Sequence, residues 1–183
     1  AAADGLLAGG VLPVMKHIPG HGRAGADTHL ELPTVTASLG ELREHDFAPF
    51  RALRDLPMAM TAHVVYAAAD PAQPATHSAR VIGEIIRGEI GFDGLLMSDD
   101  VSMKALSGDF AAKAAAILAA GCDLVLHCNG VMEEMRAVAS KALPLAGRPL
   151  GRAERALAAR RRPDTTAETA ARAEFAGYFE AAA

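Results

Sequence analysis

Tryptophan is absent, cysteine occurs twice, and no apolar run approaches the roughly eighteen residues that a membrane-spanning helix needs. Without such a run the chain has no helical route through a bilayer. The formal net charge of −4 and the lack of a polybasic signature argue against nucleic acid as a partner. Cys122 and Cys128 flank residues 123–127; along a strand they point the same way but lie too far apart for a local bridge, so both are read as buried, reduced thiols. The first nine residues lack an initiator methionine and a basic leader, and read as the end of a helix rather than a native start or a signal peptide. With 51% hydrophobic residues the composition is that of a soluble globular protein. A chain of 183 residues can bury a core, yet a complete (β/α)8 barrel takes about 250.

Four short apolar segments read as strands, at 11–15, 58–63, 94–98 and 123–127, each followed by a helical pattern. A capping-type sequence at 36–43 opens the first helix, which runs to about Arg54. Val81, Ile82, Ile85 and Ile86 line one side of a helix over 78–87 that Gly88 can end. Further helices are expected over 110–120 and 131–143, with Gly121 and Gly147 as stops. Strands alternating with helices predict parallel βαβ units with right-handed crossovers. The tail from Arg160 is helical in propensity, with Pro163, Asp164, Thr165 and Thr166 as a break and N-cap. The expected division is 1–163 for the α/β unit and 164–183 for a peripheral helix.

Chemistry concentrates at Lys16-His17-Ile18-Pro19-Gly20-His21-Gly22 and Asp27-Thr28-His29, which hold three of the seven histidines in fourteen residues. Following a buried strand, Lys16 and His17 are expected to emerge at its carboxyl end, where α/β folds carry their sites. Gly20, Gly22 and Gly25 permit backbone angles closed to other residues, so the loop can move. Asp27 and His29 are two apart; in an extended loop the carboxylate can hold the imidazole in one tautomer and raise its proton affinity. Asp99, at the end of the strand 94–98, can serve as a nucleophilic carboxylate or cap the following turn, with Asp100 as its structural partner. His63 ends a strand and is expected on the pocket side. His17, His21, His29 and Asp27 also have zinc-ligand chemistry, but their spacing lacks the regularity of a rigid metal motif.

The KHIPGHG segment, the DTH segment and Leu95-Leu96-Met97-Ser98-Asp99-Asp100-Val101-Ser102-Met103 together resemble the bacterial β-N-acetylglucosaminidases of glycoside hydrolase family 3, over about residues 10–163. Ile18, Thr28 and Val101 stand where the family usually has Phe, Ser and Leu. The resemblance implies the carboxyl-terminal half of a (β/α)8 barrel, strands five to eight, truncated at its amino end. It implies a retaining exo-glycosidase releasing terminal β-linked N-acetylglucosamine from peptidoglycan fragments such as N-acetylglucosaminyl-anhydromuramyl species. Asp99 would be the nucleophile, His29 the general acid/base and Asp27 its orienting partner, while Lys16 and His17 would contact sugar hydroxyls. No metal or cofactor, a cytoplasmic location, and no nucleic-acid or membrane partner follow from the same likeness. The family's further sugar contacts, an Asp and Arg residues on the first four strands, have no counterpart here. The alternatives are a non-catalytic half-barrel that binds sugar or associates with a second chain or copy, and a zinc-dependent hydrolase.

Overall fold

The structure is a computed structural model that describes residues 1–163 and 168–180. Its strands are β1 (Val14–Ile18), β2 (Thr34–Val35), β3 (Met58–Thr61), β4 (Val65–Tyr66), β5 (Leu95–Asp100) and β6 (Leu124–Leu126). Four of them form one parallel sheet in the order β1-β3-β5-β6. Parallel strands adjacent in chain order, each followed by helical chain, are the arrangement of successive strands in a (β/α)8 barrel, at half its strand number. β2 and β4 pair in a separate parallel two-residue ribbon that the sequence reading did not include.

The strand bounds differ from the expected ones in a way that matters for the site. β1 begins at Val14 because Pro13 cannot donate to the ladder, and it runs on to Ile18, so Lys16 and His17 lie inside the strand rather than beyond it. β5 likewise continues to Asp100 and contains Asp99. β3 stops at Thr61, two residues before His63.

Two register shifts interrupt the sheet. Lys16 faces Met60 but Ile18 faces Thr61, so His17 is the extra residue of a bulge. Met97 faces Leu124 and Asp100 faces Leu126, so β5 gains one residue across Ser98 and Asp99. Bulges at barrel rims re-aim side chains, and both occur at residues the sequence singles out.

Helices cover the sheet. Ser38 and Glu41 form a reciprocal capping box at the start of Leu39–Glu41, which widens through Leu42–Asp46 and is followed by Ala48–Ala52. The Val81–Glu89 helix buries Val81, Ile82, Ile85 and Ile86 as expected, but passes through Gly88; Gly91, at φ +77°, lies where the chain turns away. Asp109 caps Phe110–Ala120, and Gly121 ends it in the left-handed region. The next helix is shorter than expected, Met132–Ala139, and Gly147 starts the Gly147–Ala158 helix rather than stopping one. Pro149 is tolerated there because first-turn amides have no intrahelical acceptor. Glu168–Glu180 is helical, with residues 168–179 exposed; the expected cap at Asp164, Thr165 and Thr166 lies outside the described residues.

Ile18, Ala59 and Leu96 from the sheet pack with Ile82, Ile86 and Ile117 from the helices and with Phe47 and Ile90 just past helix ends. Gly94 is required at the start of β5: a Cβ there would sit 2.6 Å from the Phe92 ring and 2.7 Å from the Pro57 carbonyl oxygen. Beneath the sheet, the buried Asp123 carboxylate accepts from Arg87 at 2.9 Å, from Arg152 at 3.0 Å and from the Leu96 amide at 2.9 Å. Arg152 and Arg155 reach on to Asp93. Burial lowers the Arg87 pKa against the pull of Asp123, whereas Arg152 keeps the Asp93 carboxyl below the usual carboxylate range. Both cysteines are free; Cys122 is buried as expected, but Cys128 is exposed because it follows β6 at the open rim.

Candidate active site

Asp99 sits at the carboxyl end of β5 and is almost fully buried. Its Oδ1 accepts from the Asp100 amide at 2.8 Å, and its Oδ2 lies 3.5 Å from Nε2 of His17 on β1. The two bulges therefore direct residues from strands two places apart in the sheet toward each other. Burial lowers the His17 pKa against the attraction of Asp99, with Lys16 and His21 acting in the same direction as burial. A neutral imidazole beside a carboxylate offers one donor and one acceptor, suited to hydroxyl groups.

Lys16 is exposed at the same rim. With His17, Gly20, His21 and Arg23 it lines a cleft of about 510 Å³ to which Asp46 and Phe50 also contribute. A larger hollow of about 610 Å³ lies at the opposite end of the sheet, by Arg54, Gly94, Arg152 and Arg155. Arg152 and Arg155 there are already paired with Asp93, so the candidate chemistry is assigned to the carboxyl-end rim, where His17 both lines the cleft and faces Asp99, which does not itself line it.

The loop after β1 is fastened at three places. Tyr66, buried beneath it, donates its hydroxyl to the Gly20 carbonyl, and Arg23 Nε donates to Asp46 at 2.7 Å. Further along, the carbonyl of the buried Thr28 accepts from the Ala105 amide at 3.3 Å, in the segment that follows β5. Of the three glycines, Gly20 alone has positive φ, +144°, and a Cβ there would approach Asp46 to 3.1 Å; Gly22 and Gly25 have open space around them.

Asp27 and His29 form the pair the spacing predicts. Asp27 Oδ1 accepts from Nδ1 of His29 at 2.8 Å and from the His29 amide at 2.9 Å. Those two hydrogen bonds hold the Asp27 carboxyl below its ordinary range. With Nδ1 donating, the remaining nitrogen, Nε2, is free to hold or release a proton. The pair is exposed, and among the described residues neither member bonds to Asp99.

His63 is the clearest departure from expectation. It is fully buried and is not among the residues that line the cleft with Lys16 and His17; its ring is spent on Thr76 and the Asp100 backbone. Sequence reading also missed Thr61, Thr76, Arg23 and Asp46, whose partners stand 13 to 23 residues away. Among the described residues, no three His, Cys, Asp or Glu side chains converge as metal ligands would.

A family model described as "Glycosyl hydrolase family 3 N terminal domain" matches residues 1–146. The chain is 46% identical over 133 residues to the β-hexosaminidase of Bordetella avium, covering 70% of this chain and 38% of that protein. It superposes with TM-score 0.75 and 32% identity on the family 3 β-N-acetylglucosaminidase of a Paenibacillus species, covering 91% of this chain and 35% of that one. Neisseria gonorrhoeae NagZ, solved with N-trifluoroacetyl-D-glucosamine, matches with TM-score 0.67 and 36% identity over 77% of this chain and 41% of its own. The chain thus spans less than half the length of these relatives. Since the matched residues carry β1, the loop with Asp27 and His29, and β5 with Asp99, the chain belongs to glycoside hydrolase family 3.

Proposed function

We propose that the polypeptide carrying this chain is a retaining exo-β-N-acetylglucosaminidase that acts on peptidoglycan fragments in cell-wall recycling. The observation that carries the reading is the Asp99 carboxylate, which has one oxygen held by the Asp100 amide and the other directed toward His17. The family and the N-acylglucosamine named for a relative's complex support the sugar class.

In this reading Lys16 and His17 hold hydroxyls of the terminal sugar. Asp99 attacks the anomeric carbon, forming a glycosyl ester as the glycosidic C–O bond breaks, while His29 gives its proton to the departing oxygen. Water then enters, His29 takes its proton back, and the new C–O bond releases the Asp99 carboxylate. Asp27 stabilises the imidazolium that the first step consumes and the second restores. None of these steps asks for a cofactor. No described helix is long and apolar enough to cross a membrane; a cytoplasmic site of action is part of the proposal.

The test is a mechanism-based fluorosugar of N-acetylglucosamine configuration, applied to the longest natural polypeptide that carries this sequence. Covalent label is expected on the peptide containing Ser98-Asp99-Asp100, and label on another carboxylate would overturn the assignment. A second reading has its own observation: β1 and β6 each keep one edge without a strand partner among the described residues. Unpaired edges favour association, so the chain alone would act as a sugar-binding or interaction fragment that joins further strands or a second copy. A compact monomer by light scattering at micromolar concentration would remove that reading's basis.

A further inference from the structure

His63 is inaccessible to any substrate, yet both of its ring nitrogens are committed. Nε2 lies 3.1 Å from the Asp100 carbonyl oxygen, and Nδ1 lies 2.8 Å from the Thr76 hydroxyl oxygen. A carbonyl oxygen only accepts, so Nε2 carries the proton and donates. The Thr76 hydroxyl has a single proton, for which the Ala62 carbonyl oxygen at 3.0 Å competes with Nδ1, and Thr61 lies 2.9 Å from it; Thr76 therefore braces the Nδ1 edge of the ring, whose neutral form carries its one proton on Nε2. Burial holds His63 below the ordinary histidine range despite the hydrogen bond to Asp100 and the nearby Asp99 and Asp100 carboxylates, which favours that neutral form.

Asp100 receives this hydrogen bond and is held at every polar atom. Its Oδ1 accepts from the Ser102 and Cys128 amides, each at 3.0 Å, and its Oδ2 accepts from the Ser102 hydroxyl. Its carbonyl takes the His63 proton, and its own N–H donates to Oδ1 of Asp99 at 2.8 Å. The donor that fixes one oxygen of Asp99, and so the direction of the other, therefore belongs to a residue whose backbone is set by His63. Thr76, itself tied to the Ala62 carbonyl, holds the ring in the orientation that makes this possible.

We propose that His63, held in place by Thr76 and donating from Nε2, is a positioning residue that aims the Asp99 carboxylate through the Asp100 backbone. The proposal rests on the reading of Asp99 as nucleophile. An attacking atom misplaced by about 1 Å costs on the order of 10²-fold in rate, so a small backbone rotation at Asp100 is enough to matter.

The experiment compares His63→Leu, His63→Gln and Thr76→Val with the parent, in the longest natural polypeptide that carries this sequence. It measures the rate of fluorosugar labelling at Asp99, and kcat and KM with an aryl N-acetylglucosaminide. His63→Leu is expected to slow labelling and kcat by roughly 10²-fold with KM little changed. His63→Gln, whose amide nitrogen can still donate to the Asp100 carbonyl, should recover much of the loss, and Thr76→Val should fall between the two. Nitrogen-15 spectra of the parent's His63 ring should show Nε2–H; an Nδ1–H ring would overturn the proposal. Labelling as fast as the parent's in Thr76→Val would also overturn it, and this variant decides the matter if His63→Leu does not fold. A parent that takes no label at Asp99 overturns the nucleophile reading and this role with it. A labelled parent with undiminished rates in all three variants overturns this role alone.

Discussion

The two ends of the sheet hold aspartates of opposite design. At the amino ends of the strands Asp123 is buried, faces two arginines and accepts a backbone amide, so both oxygens are engaged. At the carboxyl ends Asp99 is also nearly buried, but it has one backbone donor and an uncharged His17 at 3.5 Å. Desolvation is costly at both places. Below, it is offset by charge pairing that ties the Val81–Glu89 helix, β6 and the Gly147–Ala158 helix together. Above, the carboxylate has no guanidinium partner among the described residues, which on the proposed reading leaves it open to a developing positive charge.

One substitution made at both ends should separate these designs. Asp99→Asn replaces a carboxylate by an amide of the same shape; turnover should fall on the order of 10⁴-fold or more, with thermal unfolding close to that of the parent. If Asp99→Asn instead lowered the melting temperature and spared turnover, the contrast between the two ends would collapse.

Within the upper end, His29→Ala should slow substrates with poor leaving groups by about 10²- to 10⁴-fold and activated aryl glycosides far less. Azide should then speed the second step, since it needs no base. Asp27→Asn should show the same pattern more weakly, with a shifted pH profile. Equal losses across leaving groups of very different acidity, in both variants, would mean that the pair only shapes the loop.

At the lower end, Asp123→Asn leaves two arginines facing an uncharged amide. A stability loss of about 3 kcal/mol is expected, read as a shift in the urea midpoint, with the slope unchanged. A shift no larger than that of an exposed surface variant would show that the pairing is energetically idle.

The smallest effect concerns acid. His17, His63 and His77 all titrate below the ordinary histidine range because burial disfavours the imidazolium. The unfolded chain therefore binds more protons below about pH 6.5. This contribution to stability is complete above that pH and is lost as pH falls through the folded-state values. For His63 the slope approaches about 1.4 kcal/mol per pH unit. Chemical denaturation from pH 7.5 to 5 should show the decline, and His63→Gln should flatten it.

Much of this was legible in the chain because it is written locally. The alternation of strands and helices follows from apolar runs and caps, and the Asp27–His29 contact follows from a spacing of two. The bulges at His17 and Ser98-Asp99 were not legible: register is a relation between strands, and nothing in β1 states that Lys16 faces Met60 while Ile18 faces Thr61. Gly147 and Pro149 hid the Gly147–Ala158 helix because both are poor helix formers, although position in the first turn makes the proline harmless. The β2–β4 ribbon, two residues per strand, is too short for any periodicity to register. His63 was placed on the pocket because it follows a strand; its true partners, Thr76 and Asp100, come from two other segments.

The closed ring that Asp27 Oδ1 makes with both the side chain and the amide of His29 is completed within three consecutive residues. The pair is thus a cassette: its internal geometry is set inside the cassette, while its reach is set by the stretch between Arg23 and Asp27, where a side chain at Gly25 would meet open space. Lengthening or shortening that stretch should, on the proposed reading, change which leaving groups the imidazole can meet while the Asp27–His29 contact stays intact. Reach and pairing can then drift independently, since insertions alter one and leave the other in place.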